Sequence, residues 1–419
     1  MTAVLAFLVQ VCALLALALA VRVVVDAWLD IPYAVLLVLV GVVISVLRID
    51  VGIRLSTDII MGLVLPPILF EGVVELDRTA LRENLAVPLT LVVLGIPLAV
   101  VLLGPLIDLA FGLSIGVSLL LAAILVPTDP VAVLSVFEEL DAPERLKIVI
   151  DSESLFNDGV AIVIVNVILA LLAAGPEPMS GLEIAEFVLT DLLVVGLGGF
   201  LLGCGLGYGA TRFVHRLPER MVILLVTVLV AYGSYVLAES VGVSGILATV
   251  GAGVFVDLDA DDGIGRDALE FVRDIWAGGA FLLSTVVYVL IGAQVPIDTL
   301  TVYLPAALLV AAFVLLVRAV IVYVLVGAVN GIISRPLPRS YQHVLVSGGL
   351  HTVVPIALAL GLPPWIPHRE FVQAVVFCVA IIGALVQGTL LPSLLRAIGL
   401  GDRATGVAGP SSRRDGDGP

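Results

Sequence analysis

Charge is what this sequence has least of. Only 13% of its 419 residues are Asp, Glu, Lys or Arg, where soluble domains carry about a quarter. Lysine is reduced to Lys147 alone, and the other 19 of the 20 basic residues are arginine. There is no basic patch, so nothing supports binding to nucleic acid. Cysteine is as scarce. Cys12, Cys204 and Cys378 lie far apart inside apolar runs, which excludes a disulfide framework or a cysteine metal cluster and leaves them as small hydrophobes. Polar sequence sufficient for a soluble domain is missing, and so is the alternating pattern of a membrane β-barrel.

What fills the chain instead is hydrocarbon. Hydrophobic residues make up 61% of it and its mean hydropathy is +1.22. Crossing an apolar core of about 30 Å takes about 20 apolar residues as a helix. Runs of that kind recur from end to end, and in lipid only a helix or a closed barrel satisfies the backbone. The expected class is an all-α polytopic membrane protein with the lipid bilayer as its solvent. Its roughly thirteen spans fall near 3–21, 31–47, 57–75, 85–108, 114–137, 148–173, 186–211, 220–238, 242–256, 270–293, 301–330, 341–362 and 370–397. The first run lacks a basic n-region and is long for a signal peptide, so it reads as a retained span. Residues 1–398 make the transmembrane domain, and the polar, Gly-rich 399–419 reads as a disordered cytoplasmic tail.

The arginines orient the chain. With the connections numbered in order, the odd ones and the tail hold fifteen Lys and Arg residues and the even ones three. The positive-inside rule therefore puts the odd connections and the C-terminus in the cytoplasm and the N-terminus outside the cell membrane. Acid is concentrated in loops such as 256–270, and the formal net charge is −15. An acidic, lysine-poor surface suits a salt-saturated cytoplasm that screens self-repulsion, which points to a halophilic prokaryote.

Two spans are interrupted at matching places. The fifth carries "LVPTDPVAVL" (125–134) and the twelfth "SGGLHTVVPIAL" (347–358). If spans 1–6 and 8–13 are two halves, these are the fifth helix of each, and the odd span between them inverts one half against the other. Interrupted spans at corresponding positions of inverted halves point to a transporter's binding site, although two ordinary proline kinks would also read this way.

Several polar side chains sit too deep to be interfacial. Asp108, Asp191, Glu239 and Asp298 lie near span ends, where snorkelling accounts for them. Asp129, Asp158 and Arg318 lie within spans, and Glu71 and Glu153 lie close to or inside them. Each such group costs at least about 2.5–3.5 kcal/mol to insert, so it faces the bundle interior and carries function. In "DSESLFNDGVAIVIVNVI" (151–168), Glu153 and Asn157 are four apart, as are Ser154 and Asp158, which puts two polar pairs on neighbouring helix faces. A carboxylate, an amide and a hydroxyl beside the Thr128–Asp129 bend offer hard oxygen ligands suited to alkali cations, with backbone carbonyls freed by Pro127 and Pro130 adding more. Desolvation favours the neutral form of a carboxyl group, so one carboxylate that takes either a proton or a cation would be an exchanger in miniature. The plain alternative is a hydrogen-bond network joining two helices.

"PTDP" (127–130), "SESLFNDG" (152–159), "FEG" (70–72), "GVSGILATVGAG" (242–253) and "LIGAQV" (290–295) together resemble the sodium/proton exchangers of the monovalent cation:proton antiporter family, over nearly the whole chain except the tail. The resemblance implies a core domain of six helices moving against a dimerisation domain, a homodimer, and no cofactor beyond the transported Na+ and H+. It implies that Asp158 binds cation or proton with Asn157, Thr128, Asp129 and Ser154 around it, Na+ lying at Asp158, Ser154 and Thr128. It also implies that Arg318 pairs with Glu153. Asparagine before the aspartate is the mark of electroneutral members, so Asn157 implies one cation per proton. One departure stands out. The family's "GGLRG" arginine, often paired with the third-span glutamate, here Glu71, is replaced in "GGLHT" by His351, which titrates near neutrality.

The expected function is antiport of Na+, with Li+ as a further substrate, for H+ in sodium export and pH homeostasis, with K+/H+ exchange on the same fold as the alternative. A remote rival from another class is a rhomboid-like intramembrane protease using Ser244 of "GVSG" with His351 as base. That reading leaves Asp158, Asp129 and Arg318 unexplained.

Overall fold

The structure, a computed structural model, describes residues 3–28, 33–128, 133, 136–137, 140, 142–174, 181–216, 219–256, 266–295, 297–348 and 353–400. Among the described residues there is no strand. In chain order the helices are α1 (Ala3–Trp28), α2 (Tyr33–Val46), α3 (Ile59–Glu75), α4 (Arg78–Asn84), α5 (Ala86–Phe111), α6 (Ile115–Leu125) and α7 (Glu144–Ala173). They continue with α8 (181–214), α9 (Arg220–Ser240), α10 (Gly245–Phe255), α11 (Arg266–Ala293), α12 (Ile297–Asn330), α13 (Arg339–Ser347), α14 (Val353–Leu360) and α15 (Arg369–Ala397).

Each of the thirteen expected windows carries helix. Seven described helices are long and apolar enough to cross a membrane, and the bent pair α3 and α4 makes an eighth. The ninth window is the short one expected, holding α10. α4 is an addition to that list. The chain turns by 91° after Glu75, and Asp77 restarts it by accepting hydrogen bonds from the amides of Thr79 (2.7 Å) and Ala80 (3.1 Å). A carboxylate at this position satisfies amides that the new helix leaves open.

Prolines explain two local distortions. α3 opens with a widened π turn over Ile59–Val64 just before Pro66 and Pro67, and α5 has one over Leu91–Gly95 just before Pro97. Proline has no amide to give the preceding turn, and widening that turn relieves the clash of its ring. A third π turn, Leu192–Leu197, lies in α8 before the pair Gly198–Gly199.

Glycine sets the closest helix contact. A Cβ on Gly199, Gly203 or Gly207 of α8 would lie 2.4, 1.9 or 2.3 Å from the carbonyl oxygens of Ser244, Ala248 and Ala252, and one on Gly251 of α10 would lie 2.3 Å from that of Phe200. The small residues of "GVSGILATVGAG" therefore serve backbone-to-backbone packing, as small residues do where lipid offers no hydrophobic drive.

α7 is the hub of the bundle, touched by α3, α4, α5, α6, α8, α10 and α14. Around it the interrupted spans meet. α6 stops at Leu125, the chain is non-helical over 126–128, and α6 packs against α14. α13 stops at Ser347, and a Cβ on Gly348 would lie 3.4 Å from the methyls of Val133, so the second break abuts the chain just past the first. Helix resumes at Val353, with Pro355 in its first turn. The tail from 401 onward lies outside the described residues.

Candidate ion-binding site

The break after α6 leaves Thr128 outside any helix, and α7 supplies the side chains that hold it. Asn157 Nδ2 donates to Thr128 Oγ1 at 2.8 Å and approaches the Thr128 carbonyl oxygen at 3.5 Å. Ser154 Oγ donates to the same carbonyl, one helical turn earlier on α7. Asn157 is 1% exposed, and its Oδ1 is buried with no hydrogen-bond partner among the described residues. Leaving such an acceptor unpaired costs about 1–3 kcal/mol. Asp158 is 8% exposed. The result is a buried cluster of oxygens, one of them ionisable, at the end of a broken helix.

A cavity of about 370 Å³ leads to this cluster. Thr128, Ser154 and Asp158 form its head, beside Leu65 of α3, Tyr288 of α11 and Val353–Pro355 of α14. Glu71, Glu75 and Asp151 line the rest, with Ala277 and Phe281 of α11 opposite. The lining reaches exposed Glu75, the last residue of α3. The cavity therefore opens toward the arginine-rich connections that carry Arg78, Arg82 and Arg145. Asp151 and Glu75 are not among the site residues expected from sequence. Asp151 stands seven residues before Asp158, two turns of helix away on the same side, a spacing that carries the signal in hindsight. Glu75 leaves no such trace.

Glu153 occupies the other side of α7. Arg318 of α12 grips it in a fork, Nη1 to Oε1 at 3.2 Å and Nη2 to Oε2 at 3.0 Å, while Arg318 Nε donates to the Leu345 carbonyl of α13 at 2.8 Å. Glu153 is buried and Arg318 partly so, 6% and 15% exposed. They line a separate cavity of about 40 Å³, room for a water or so, together with Leu91 and Gly95 of the π turn in α5. One guanidinium thus ties α7, α12 and α13 together with charge-assisted bonds.

Sequence reading expects Glu153 to pair with Arg318 and sets Glu71 with His351. Glu153 and Arg318 do pair, and Glu71 lines the larger cavity with Asp151 and Asp158. Asp129 and His351 lie outside the described residues. Ser244, the nucleophile of the protease reading, is the N-cap of α10, its hydroxyl accepting from the Leu247 amide at 3.3 Å. That bond gives it a structural job. Among the described residues, no group of three or more His, Cys, Asp and Glu side chains is arranged to hold a metal ion.

The family described as "Sodium/hydrogen exchanger, transmembrane" matches residues 11–397. The chain is 33% identical over 381 residues to the Na+/H+ antiporter ApNhaP of Aphanothece halophytica, covering 90% of this chain and 71% of that one. It is 30% identical over 389 residues to the Na+/H+ antiporter NhaG of Bacillus atrophaeus, covering 90% and 72%. The structure of the sodium proton antiporter MjNhaP1 from Methanocaldococcus jannaschii at pH 8 superposes with a TM-score of 0.75 at 21% identity, over 95% of this chain and all of that one, so the fold is shared. A membrane bundle with two spans broken at matching places, a buried carboxylate at their meeting point and a match along nearly its whole length place the chain in the sodium/hydrogen exchanger family, as a transporter and not an enzyme.

Proposed function

We propose that this protein is a secondary antiporter that exchanges Na+ for H+ across the cell membrane by alternating access, with Asp158 as the group both ions share. The observation that carries the reading is the position of Asp158, buried beside Thr128, Ser154 and Asn157 in the lining of an acidic cavity. Cations enter past the carboxyl groups of Glu75, Glu71 and Asp151, which line the way to the head. At the head, Asp158 supplies the charge, and Ser154 Oγ and the Thr128 oxygens supply neutral ligands in place of water. Asp129 belongs to the same proposed site.

Coupling follows from desolvation. A bare carboxylate moved through a low-dielectric barrier costs several kcal/mol, whereas one neutralised by Na+ or by a proton does not. Asp158 therefore crosses loaded in either direction, and exchange is obligatory. Because Asn157 is neutral, one carboxylate carries one charge, which makes the cycle one cation for one proton and electroneutral. With the N-terminus outside, as the arginines orient it, the described cavity faces the cytoplasm, and protons flowing inward drive sodium out. The acidic surface suits this role in a high-salt habitat, and a homodimer is proposed from the family resemblance.

The test is cation-induced collapse of a preset ΔpH in proteoliposomes, with Na+, Li+ and K+ added in turn to wild type and to Asp158→Asn. Collapse by wild type alone, strongest with Na+, is the expected outcome. A larger signal with K+ makes the protein a K+/H+ antiporter of the same fold. Equal signals from both proteins remove Asp158 from the mechanism.

A further inference from the structure

We propose that Thr57 and Gly361 form the seal at the closed end of the Asp158 cavity, and that this contact parts each time the protein opens on that side. The proposal rests on the antiport reading above, since a seal matters only if the site is exposed alternately. Beyond the head of the cavity, α14 packs against the π-helical opening of α3. Ile60 and Val64 of α3 join Ile356 and Ala357 of α14 in one buried apolar cluster. At the rim of that plug Thr57 Oγ1 donates to the Ala357 carbonyl oxygen at 3.0 Å, sharing it with the Gly361 amide, also at 3.0 Å. A Cβ on Gly361 would lie 2.5 Å from Thr57 Oγ1 and 3.2 Å from Thr57 Cβ, so only glycine lets the two segments meet.

The contact is built to be broken. It consists of one hydrogen bond between a side chain and an already bonded carbonyl, over a plug with no ion pair between α3 and α14 among the described residues. Immediately behind it on α3 lie the widened turn Ile59–Val64 and then Pro66 and Pro67, a stretch short of regular backbone hydrogen bonds. Such a turn is where a helix bends at least cost. α3 can thus swing its first turn away from α14 while its remainder keeps lining the cavity.

A disulfide tests this directly, because a Cβ separation near 3.2 Å needs only a small shift to reach the roughly 3.5–4.5 Å of a bridge. Thr57→Cys with Gly361→Cys is made in a chain whose Cys12, Cys204 and Cys378 are replaced by alanine. Linkage is read by mass spectrometry and exchange by ΔpH collapse. We expect oxidation to link the pair and to lower exchange roughly tenfold or more, with recovery on reduction, as for a locked gate. A fully linked protein that still exchanges at the reduced rate overturns the proposal, and so does failure to link.

Gly361→Ala in the native cysteine background is the second arm. Its methyl crowds Thr57 and disfavours the sealed state, so apparent cation affinity from the arginine-rich side weakens roughly threefold in proportion to the population lost. Thr57→Ala combined with Gly361→Ala restores it by removing the crowding atoms. Unchanged affinity in Gly361→Ala, or no recovery in the double variant, argues against the seal. A wild-type protein that exchanges no cation at all would instead strike at the antiport reading, and a working wild type with an indifferent disulfide strikes at the seal alone.

Discussion

Glu153 and Asp158 are five residues apart on α7, both buried, yet they stand in opposite situations. Glu153 faces α12 and α13 with both oxygens taken by Arg318 in a space with room for a water or so. Asp158 faces α3 and α11 across a cavity nine times that size, wet from one end and lined by three further carboxyl groups. A carboxylate whose counter-charge is a fixed guanidinium has little to exchange. One that lines an open cavity can take whichever small cation arrives. Burial alone therefore does not mark a transport site; an open path to the carboxyl group does.

The largest effect should fall on the open side. Asp158→Asn keeps shape and hydrogen-bonding capacity but cannot bind an ion in exchange for a proton, and proteoliposome exchange should drop to that of empty vesicles while the protein elutes as wild type. If Asp158→Asn still exchanges, the contrast between the two carboxylates is wrong at its root. On the closed side the effect should be on stability. Arg318→Met strands a buried Glu153 and should cost about 3–5 kcal/mol, seen as a lower melting temperature in detergent, with Glu153→Gln in the same chain recovering most of it. If Arg318→Met melts like wild type, Glu153 is not held by this pair.

Smaller changes sharpen the comparison. Ser154→Ala removes the hydroxyl bonded to the Thr128 carbonyl, a change of about 1 kcal/mol, so the apparent KM for Na+ should rise roughly fivefold with little change in maximal rate. Ser152 is a control one turn from neither ion ligand, for its hydroxyl bonds the Ile148 carbonyl within its own helix, and Ser152→Ala should leave KM alone. Smallest is Asp151→Asn. Its charge acts at a distance through a partly wet cavity, so an effect of about twofold on KM at low ionic strength should vanish in strong salt, where the screening length falls to about 3 Å. An effect that persists in strong salt would make Asp151 a direct ligand.

Hydropathy made the thirteen spans legible, because a lipid-facing helix has to be apolar along its length whatever it packs against. Pro127 and the glycines of 347–349 likewise announced the two breaks, since their backbone chemistry acts locally. The pairing of Glu153 with Arg318 came through the family resemblance and holds at 3.0 Å. What could not be read was meeting across distance. Nothing local says that Glu75 and Glu71 share a cavity with Asp158, or that Thr57 and Gly361, separated by most of the chain, touch. Ser244 shows the opposite ambiguity, because a helix cap and a nucleophile can carry the same four letters, and the carboxylates left unexplained elsewhere weigh against the second.

The glycine column between α8 and α10 has a mechanical consequence. Gly199, Gly203 and Gly207 meet the carbonyls of Ser244, Ala248 and Ala252 in strict steps of four on both helices. Surfaces in backbone contact have no rotamers to rearrange, so the pair cannot creep by small increments. The next register in which glycine again faces carbonyl lies about 6 Å away along the axis, four residues of rise. In an engineer's vocabulary the joint is a detent: stiff against shear within one notch, with the neighbouring notch too far to reach by thermal jitter, so α8 and α10 transmit a push as one rod.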